Sequence, residues 1–335
     1  MKHGGPNRPV PGLPFLLSEA ESDVGDPDGP LAGTTVGGYR LVARLATGGM
    51  SEVWLADALA GPERGKSVIV KRLLPKLRGL PDCVQRFEAE AELGARLFHP
   101  NLARCFGLLQ QGPELFLSQE LVGGETVALL AAAARRRGER LEAAAVLHAL
   151  AGLLAALSHL HAHKLVHADV NPDNLVARPD GSVKLIGLGL AQQLSPDGSV
   201  PSPDGALRGT PAYMSPEQVK SRPLDARSDL FSAAIALWEL LANRPLFAAE
   251  SEFETLRRVR EMPAPPLRAI WTAAPTGLER ILVRALSKDP ALRFQSAGDF
   301  SAELESVAAR AGFTSGPESL AAAVAQWAPN SPRPD

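Results

Sequence analysis

The sequence predicts an α+β protein in two lobes, a small antiparallel β-rich lobe followed by a large α-helical lobe. Short segments of alternating apolar residues, separated by Gly and Pro, fill the first lobe. Long Ala- and Leu-rich segments with helical spacing then dominate to about residue 310. The chain of 335 residues is long enough for two lobes around a cleft, because a single core seldom grows beyond roughly 250 to 300 residues.

The small lobe is predicted at 35–121 and the large lobe at 122–310. Three strands, one helix and two further strands are predicted in the small lobe at 41–45, 53–56, 68–71, 82–98, 103–109 and 115–121. The helix carries apolar residues at helical spacing and stops before Pro100, which cannot continue it. The second strand pair ends at two consecutive glycines, which mark the passage to the helical lobe.

The two ends of the chain differ from the lobes in composition. Residues 1–34 are crowded with Pro, Gly, Asp and Ser and have no sustained period. Such a segment cannot bury enough apolar surface to offset the chain entropy, so a disordered arm is predicted. Residues 311–335 are predicted to form a tail that contains one short helix at 318–327, between two prolines.

Composition argues against several classes of protein. The formal net charge of -2 gives no global attraction to nucleic acid or to a membrane. Two cysteines are too few for a disulfide scaffold and have no metal-ligand spacing. The start of the chain lacks the apolar region of a signal peptide, and the most apolar stretch, 143–160, is interrupted by His and Ser. We therefore expect a buried helix at that stretch and a cytoplasmic protein.

A glycine-bearing segment between the first two strands could lie over the phosphates of a nucleotide. On its own this segment is as typical of an ordinary hairpin. Lys71 closes the next strand, and Glu90 follows 19 residues later (90 minus 71), in the middle of the predicted helix. A lysine and a glutamate so placed can form an ion pair that directs the ammonium group at phosphates.

Two later segments carry the most specific pattern in the sequence. Residues 167–175 read His-Ala-Asp-Val-Asn-Pro-Asp-Asn-Leu, and residues 183–191 read Val-Lys-Leu-Ile-Gly-Leu-Gly-Leu-Ala. With them the sequence resembles the bacterial members of the eukaryotic-type serine/threonine protein kinases. Three further blocks resemble the end of the activation loop, a buried helix start and a late helical arginine of that family, at 209–217, 225–232 and 289–293. The resemblance covers about 38–308 in one order and implies the protein kinase-like two-lobed fold.

The resemblance implies a nucleotide site between the lobes, with ATP as its nucleotide. Lys71 paired with Glu90 would hold phosphates, and the backbone of Glu120 and Leu121 would offer hydrogen bonds to an adenine. The implied nucleotide-binding residues are Ala46, Gly48, Val53, Lys71, Glu90, Glu120 and Leu121.

The resemblance also implies roles for residues in the helical lobe. Asp169 would accept the proton of a substrate hydroxyl, and Asn174 would hold a metal ion. Glu217 and Arg293 would form a buried structural ion pair, which is costly to break because a lone buried charge remains.

The sequence departs from the family pattern where magnesium would bind. The magnesium-binding aspartate of the family falls on Gly187, 18 residues after Asp169 (187 minus 169). Magnesium takes hard carboxylate oxygens, phosphate oxygens and waters, whereas a glycine offers no side-chain ligand and Asn174 offers only a neutral one. In addition, Asn171 replaces the lysine that would face the transferring phosphate, and Ala168 replaces the arginine beside Asp169. These losses argue against Mg²⁺ binding.

Two smaller questions stay open at the level of sequence. Ile69 stands where the family has a small alanine, and its branched side chain would project into the adenine space, which leaves ATP binding undecided. The histidines of the segment 159–167 could hold a metal. Alternatively, the resemblance implies that His161 and His167 pack and hydrogen-bond before the catalytic loop.

Two hypotheses of different class follow. The first is a pseudokinase, a regulatory or scaffolding module in signalling that binds other proteins, an active kinase or its substrate among them. The second is an active serine/threonine kinase that transfers the ATP γ-phosphate to protein hydroxyls with impaired metal binding. A nucleotide sensor without transfer is a third reading. Neither nucleic acid nor a membrane is expected as a partner.

Overall fold

The computed structural model describes residues 31–195, 197–200 and 207–328. Its strands are β1 Thr35–Val36, β2 Tyr39–Thr47, β3 Ser51–Ala58, β4 Ser67–Leu73, β5 Cys105–Gln111, β6 Glu114–Glu120, β7 Glu125–Thr126, β8 Leu165–Val166, β9 Leu175–Ala177, β10 Val183–Leu185 and β11 Gln192–Gln193. Its α-helices are α1 Pro81–Ala95, α2 Val127–Arg136, α3 Ala143–Ala162, α4 Pro216–Val219, α5 Ala226–Ala242, α6 Glu252–Glu261, α7 Thr276–Ala285, α8 Ala297–Arg310 and α9 Pro317–Trp327. A β-rich lobe is thus followed by a helical one, as the sequence predicts.

The small lobe is a six-stranded antiparallel sheet in the order β1-β2-β3-β4-β6-β5. Side chains of a strand alternate between its two faces. On β4, Val68 and Val70 therefore belong to the apolar cluster on the outer face, with Trp54. Ile69 and Lys71 point to the inner face, which also carries the cluster around Phe87 of α1.

Helix α1 is shorter than the sequence predicts. It ends at Ala95 instead of residue 98, and an irregular segment at 96–104 leads to β5. The apolar spacing misleads here because Leu97 is buried, like the helical positions before it, although it lies in the irregular segment. Glu90 lies on the buried side of α1 together with Phe87 and Ala91, so its carboxylate is held against the sheet.

Helix α3 is the core of the large lobe. It is the one helix among the described residues that is long and apolar enough to cross a membrane by length and composition. Ten of its 20 residues are buried, and it packs against α5, α8 and α9. The core of the helical lobe therefore accounts for its apolar character, as predicted.

The ends of the described chain belong to the lobes. Leu31 begins a turn in which the Thr34 hydroxyl and backbone N–H donate to the Leu31 carbonyl oxygen, four residues before the predicted start of the small lobe. The rest of the predicted arm, 1–30, lies outside the described residues. At the other end α9 buries Leu320 and Trp327 against the helical lobe, and the Arg137 guanidinium lies 5.3 Å from the centre of the Trp327 ring.

Candidate functional site

The predicted ion pair of the small lobe is formed. The Lys71 Nζ donates a hydrogen bond of 2.7 Å to Glu90 Oε1, and the two side chains are only 16% and 6% exposed. Lys71 is placed by the inner face of β4 and Glu90 by the buried side of α1. Gly189 comes close to this pair, since a Cβ atom there would lie 3.2 Å from Glu90 Oε2. The ammonium group is thereby held at the cleft between the lobes.

The glycine-bearing segment forms the hairpin between β2 and β3. Ala46 pairs with Val53 across this hairpin, and Val53 pairs in turn with Lys71 of β4. The Gly48 N–H donates to the Ser51 carbonyl oxygen at 2.8 Å and closes the turn. The structure thus brings these three predicted nucleotide-binding residues to the hairpin beside Lys71.

Ile69, which is predicted to project into the adenine space, is buried on the inner face of β4. This residue lies two positions before Lys71 on the same face of β4, pairs with Leu55 and Gln119, and is 2% exposed. At the end of β6, the Glu120 N–H already donates to the Arg104 carbonyl oxygen at 2.8 Å. That N–H is therefore already bonded within the protein, and Glu120 and Leu121 lie where residues of the two lobes meet.

Asp169 lies in the loop between β8 and β9, and its carboxylate is surrounded by protein donors. Oδ1 accepts from the Thr210 backbone N–H at 3.0 Å, the Thr210 hydroxyl at 2.9 Å and Asn171 Nδ2 at 3.2 Å. Oδ2 accepts from Asn174 Nδ2 at 3.0 Å. A carboxylate offers roughly four lone-pair sites in all. Oδ1 is thus fully used, and the remaining acceptor capacity is on Oδ2.

The Asn171 side chain forms hydrogen bonds within its own loop. Its Oδ1 accepts from the backbone N–H groups of Asp173 and Asn174, both at 3.0 Å, at the start of the 3₁₀ turn Pro172–Asn174. The residue is 3% exposed. A lysine at this position has no acceptor atom, so it could not make these two bonds. The amide therefore caps the turn and places no charge in the cleft.

Gly187 adopts a backbone that suits glycine. Its φ is +83°, in the left-handed region where side chains are disfavoured. An added Cβ atom would lie 2.8 Å from Asn174 Oδ1. The side chain of Asn174 therefore occupies the space into which a residue at 187 would extend.

The residues around Gly187 supply few of the ligands that magnesium takes. Asn174 Nδ2 is committed to Asp169, at 2.9 Å to its backbone oxygen and 3.0 Å to Oδ2, which leaves one neutral amide oxygen. Gly187 supplies no side-chain oxygen, and magnesium is usually held by one or two carboxylates together with phosphate oxygens and waters. Over 31–195, 197–200 and 207–328, no group of three or more His, Cys, Asp or Glu side chains is arranged for a metal ion.

Asp229 of α5 holds the loop that carries Asp169. Its Oδ2 accepts from the His167 N–H at 2.9 Å and from His161 Nε2 at 2.8 Å, while Oδ1 accepts from the Ala168 N–H at 2.9 Å. These bonds fix Ala168 at a φ of +63°, an uncommon value for alanine. His161 thus forms a hydrogen bond that supports this loop, the kind of role that the family resemblance implies for it.

Sequence reasoning missed the parts played by Asp229 and Thr210. A buried acid needs a partner, and Asp229 is followed directly by the apolar run of α5, so its position at the start of a buried helix was a usable signal. Thr210 is 41 residues away from Asp169 along the chain and lies in another loop. No local pattern could reveal that contact.

The structural ion pair of the helical lobe is also formed. Arg293 Nη1 and Nη2 donate to Glu217 Oε1 and Oε2 at 2.7 and 2.8 Å, and the arginine side chain is 0% exposed. The Ser228 hydroxyl donates to Glu217 Oε1 at 2.7 Å. Burial alone would raise the pKa of Glu217, but the hydrogen bonds and charge of Arg293, together with Ser228, lower it below its ordinary value.

Comparison with known proteins gives one consistent answer. The family described as "Protein kinase domain" matches residues 39–301. The chain is 34% identical over 281 residues to the serine/threonine-protein kinase Pkn1 of Myxococcus xanthus, and the match covers 82% of this chain and 39% of that protein. It is 31% identical to the tyrosine-protein kinase MasK of Myxococcus xanthus over 80% of this chain and 43% of that protein. The chain thus spans about two fifths of the length of these curated relatives.

Solved structures agree with the sequence comparison. The crystal structure of the PknI kinase domain of Mycobacterium tuberculosis superimposes with a TM-score of 0.63 at 26% sequence identity. The superposition covers 82% of this chain and 98% of that domain. Two lobes around a cleft are thus shared with an experimentally determined fold.

Proposed function

We propose that this chain, which belongs to the bacterial eukaryotic-type serine/threonine protein kinases, is a pseudokinase. A pseudokinase here is a module that binds other proteins and has lost phosphoryl transfer. The observation that carries the proposal is Gly187, which stands at the magnesium position with no ligand to offer. Phosphoryl transfer depends on positioning and on neutralisation of charge at the phosphates. A kinase without that carboxylate has lost a principal catalytic group.

The surroundings of Gly187 support the same proposal. Asn174 occupies the space beside Gly187, within 2.8 Å of the position of an added Cβ. Asn171 leaves the cleft without the cation that would face the transferring phosphate. The site has therefore been refilled by neutral amides that bond to the loop and to Asp169.

Asp169 is proposed to have a structural role. Its Oδ1 joins the loop at 167–175 to Thr210 in the segment that closes the activation loop. Such a bond network explains why an aspartate remains here when the metal ligand has been lost. Its expected contribution is to the shape of the surface around the cleft.

A second candidate is an active serine/threonine kinase with impaired metal binding. The Lys71–Glu90 ion pair favours it, because the cation that would hold phosphates is correctly paired at 2.7 Å. One acceptor position on Asp169 Oδ2 also remains. ATP binding without magnesium is compatible with both candidates, and Ile69 is the residue that would limit it.

The partners that we propose are proteins, in keeping with a family that acts on protein substrates. The named relatives include one serine/threonine and one tyrosine kinase, so they do not define a single acceptor hydroxyl. We also propose a cytoplasmic location and no nucleic acid or membrane partner, on the sequence arguments given above.

Two measurements test the proposal. The first compares phosphate incorporation into the protein itself and into generic protein substrates with that of the Asp169→Ala variant, and we expect equal, background rates. The second is a titration with ATP, with and without magnesium, in which we expect weak binding that magnesium does not tighten. Incorporation that requires Asp169 would refute the pseudokinase and establish the second candidate. For the ATP titration, Ile69→Ala is the matched variant. It enlarges the adenine space without altering any phosphate contact, so it should tighten ATP binding if Ile69 is what limits it.

A further inference from the structure

A cavity of about 440 Å³ lies behind the segment that joins the two lobes. This volume is in the range of about 300 to 1,000 Å³ that is usual for binding pockets. Its apolar lining comes from β4, the turn after α1, the start of β5 and the end of β6, and includes Val68, Leu97, Pro100, Leu102, Phe106 and Leu121. Lys184 of β10 contributes from the helical lobe, so both lobes meet at the cavity.

The cavity is separate from the nucleotide cleft. Val68 lines it from β4, whereas Ile69 and Lys71 project from the opposite face of that strand. Neither Lys71 nor Asp169 is among its lining residues. The cavity shares Glu120 and Leu121 with the predicted adenine contacts, but the residues predicted to act on the phosphates do not line it.

The rim of the cavity exposes an aromatic residue. Phe98 is 61% exposed, although it is a large apolar side chain. The Arg104 guanidinium lies 5.1 Å from the centre of the Phe98 ring and 5.7 Å from that of the Phe106 ring. An exposed aromatic beside an apolar cavity is typical of a surface that binds another segment of protein.

The chain supplies a fitting segment 13 residues before its described part. Residues 13–17 read Leu-Pro-Phe-Leu-Leu, the most apolar run of the region 1–30. The described chain begins at Leu31, which packs against the same outer-face cluster to which Val68 and Phe106 also contribute. The first described residue thus lies at the apolar surface that continues into the cavity.

The connecting residues 18–30 are long enough for the segment 13–17 to reach the cavity, and their charge is complementary to its rim. The 13 residues between Leu17 and Leu31 (18–30) span up to about 45 Å when extended. They carry five acidic residues and no basic one. Around the cavity, the cations of Lys66, Arg104 and Lys184 outnumber the anions of Glu63 and Glu120. The acidic residues of 18–30 would therefore lie near a cavity rim whose net charge is weakly positive, which favours this placement.

We propose that this cavity binds residues 13–17 of the same chain, with Phe15, Leu16 and Leu17 as the apolar side chains that fill it. The docked segment then contacts both lobes from behind and covers Phe98. This interaction surface does not depend on whether the protein transfers phosphate, so the two proposals can fail separately.

Disulfide trapping in the full-length chain tests the docking. Ser18 follows the apolar run, and Ser67 is exposed at the cavity, so Ser18→Cys with Ser67→Cys changes size and polarity little. Cys83→Ser removes the partly exposed natural thiol, and Cys105 stays because it is buried. We expect an intramolecular disulfide between residues 18 and 67 under mild oxidation, detected by peptide mapping.

The matched control keeps the tether and removes only the apolar side chains. Phe15→Ser, Leu16→Ser and Leu17→Ser in the same double-cysteine chain should slow disulfide formation about tenfold or more, since burial of even one such side chain contributes that much. Phe98→Ser should slow it as well, and thermal unfolding checks that this exposed substitution leaves the fold intact. Equal rates with the serine variant, or no disulfide at all, would overturn the proposal. A disulfide between two molecules whose share grows with protein concentration would overturn it too, and would assign the cavity to a second copy instead.

Discussion

Two polar clusters in the helical lobe have changed to different extents from the family pattern. In the cluster of Glu217 and Arg293, both charges are present and both ends of the carboxylate meet the guanidinium. In the cluster of Asp169, the carboxylate is present, but the expected cation and the expected second acid are Asn171 and Gly187. We call the first the intact cluster and the second the rebuilt cluster, because the second carries neutral residues where the resemblance implies charged ones.

The difference separates two demands on one fold. The Glu217–Arg293 pair joins α4 to the segment after α7, and it would leave a bare charge if either partner were lost. The positions of Asn171 and Asn174 carry no such constraint on stability. Both side chains are neutral, and they hydrogen-bond to the Asp173 N–H and to the Asp169 carboxylate. Substitution in the second cluster is therefore tolerable for folding even where it removes chemistry.

The largest expected effect is on the intact cluster. Arg293→Ala should lower the free energy of unfolding by about 3–5 kcal/mol, because Glu217 is then buried without its partner. Chemical denaturation followed by circular dichroism measures it. The control is the double variant Glu217→Gln with Arg293→Met, which removes both charges and should lose less than the single variant. A single variant as stable as the wild type would show that water reaches Glu217.

The rebuilt cluster should respond more weakly. Asp169→Ala leaves the Thr210 N–H without an acceptor and removes one of the two acceptors of Asn174 Nδ2, and this should cost about 1–3 kcal/mol. Phosphate incorporation should not change. Asp169→Asn, which keeps an acceptor for Thr210, should fall between the wild type and the alanine variant in thermal unfolding. A drop in phosphate transfer without a drop in stability would instead give Asp169 a catalytic role.

The same contrast explains what the sequence could predict. The order of strands and helices followed from periodicity, and the ion pairs Lys71–Glu90 and Glu217–Arg293 followed from the resemblance because each charge has a fixed partner in the fold. The end of α1 was missed, since Leu97 continues the apolar pattern although its backbone turns. Spacing also predicted the helix at α9, but not that Trp327 packs under Arg137.

The candidate site was harder to read than the fold. Sequence alone identified the missing acid at Gly187 but not that Asn174 fills the space beside it. Likewise it named Asp169 but not the donors from Thr210, which come from a distant loop. Contacts between loops depend on tertiary packing, which has no period in the sequence.

A third prediction restores the missing acid. Gly187→Asp should cost about 1–2 kcal/mol, because a side chain at a φ of +83° is strained and its Cβ crowds Asn174. Gly187→Ala is the matched control, with the same strain and no carboxylate. If the position can still serve a metal, magnesium with ATP should raise the melting temperature of the aspartate variant but not that of the alanine variant. Adding Asn171→Lys should enlarge this gain, since both groups act on the same phosphates, although it removes the cap of the turn at 172–174. Equal melting temperatures for all three chains would show that the cleft is closed for another reason.

The smallest expected effect is the loss of folding stability at acid pH. The pKa of Glu217 is lowered in the folded protein, so the stabilisation that this group contributes is present above its unfolded pKa and is lost as the pH falls through the folded value. The unfolded value is about 4.3. The wild type should therefore lose stability below about pH 4 more steeply than the double variant Glu217→Gln with Arg293→Met, whereas Asp169→Ala should retain this part of the acid dependence. Urea unfolding at a series of pH values, with the wild type and both variants in the same buffers, gives the three slopes. If the wild type and the double variant kept parallel curves through that range, Glu217 would not be the group that protonates, and the contrast between the intact and the rebuilt cluster would lose its electrostatic basis.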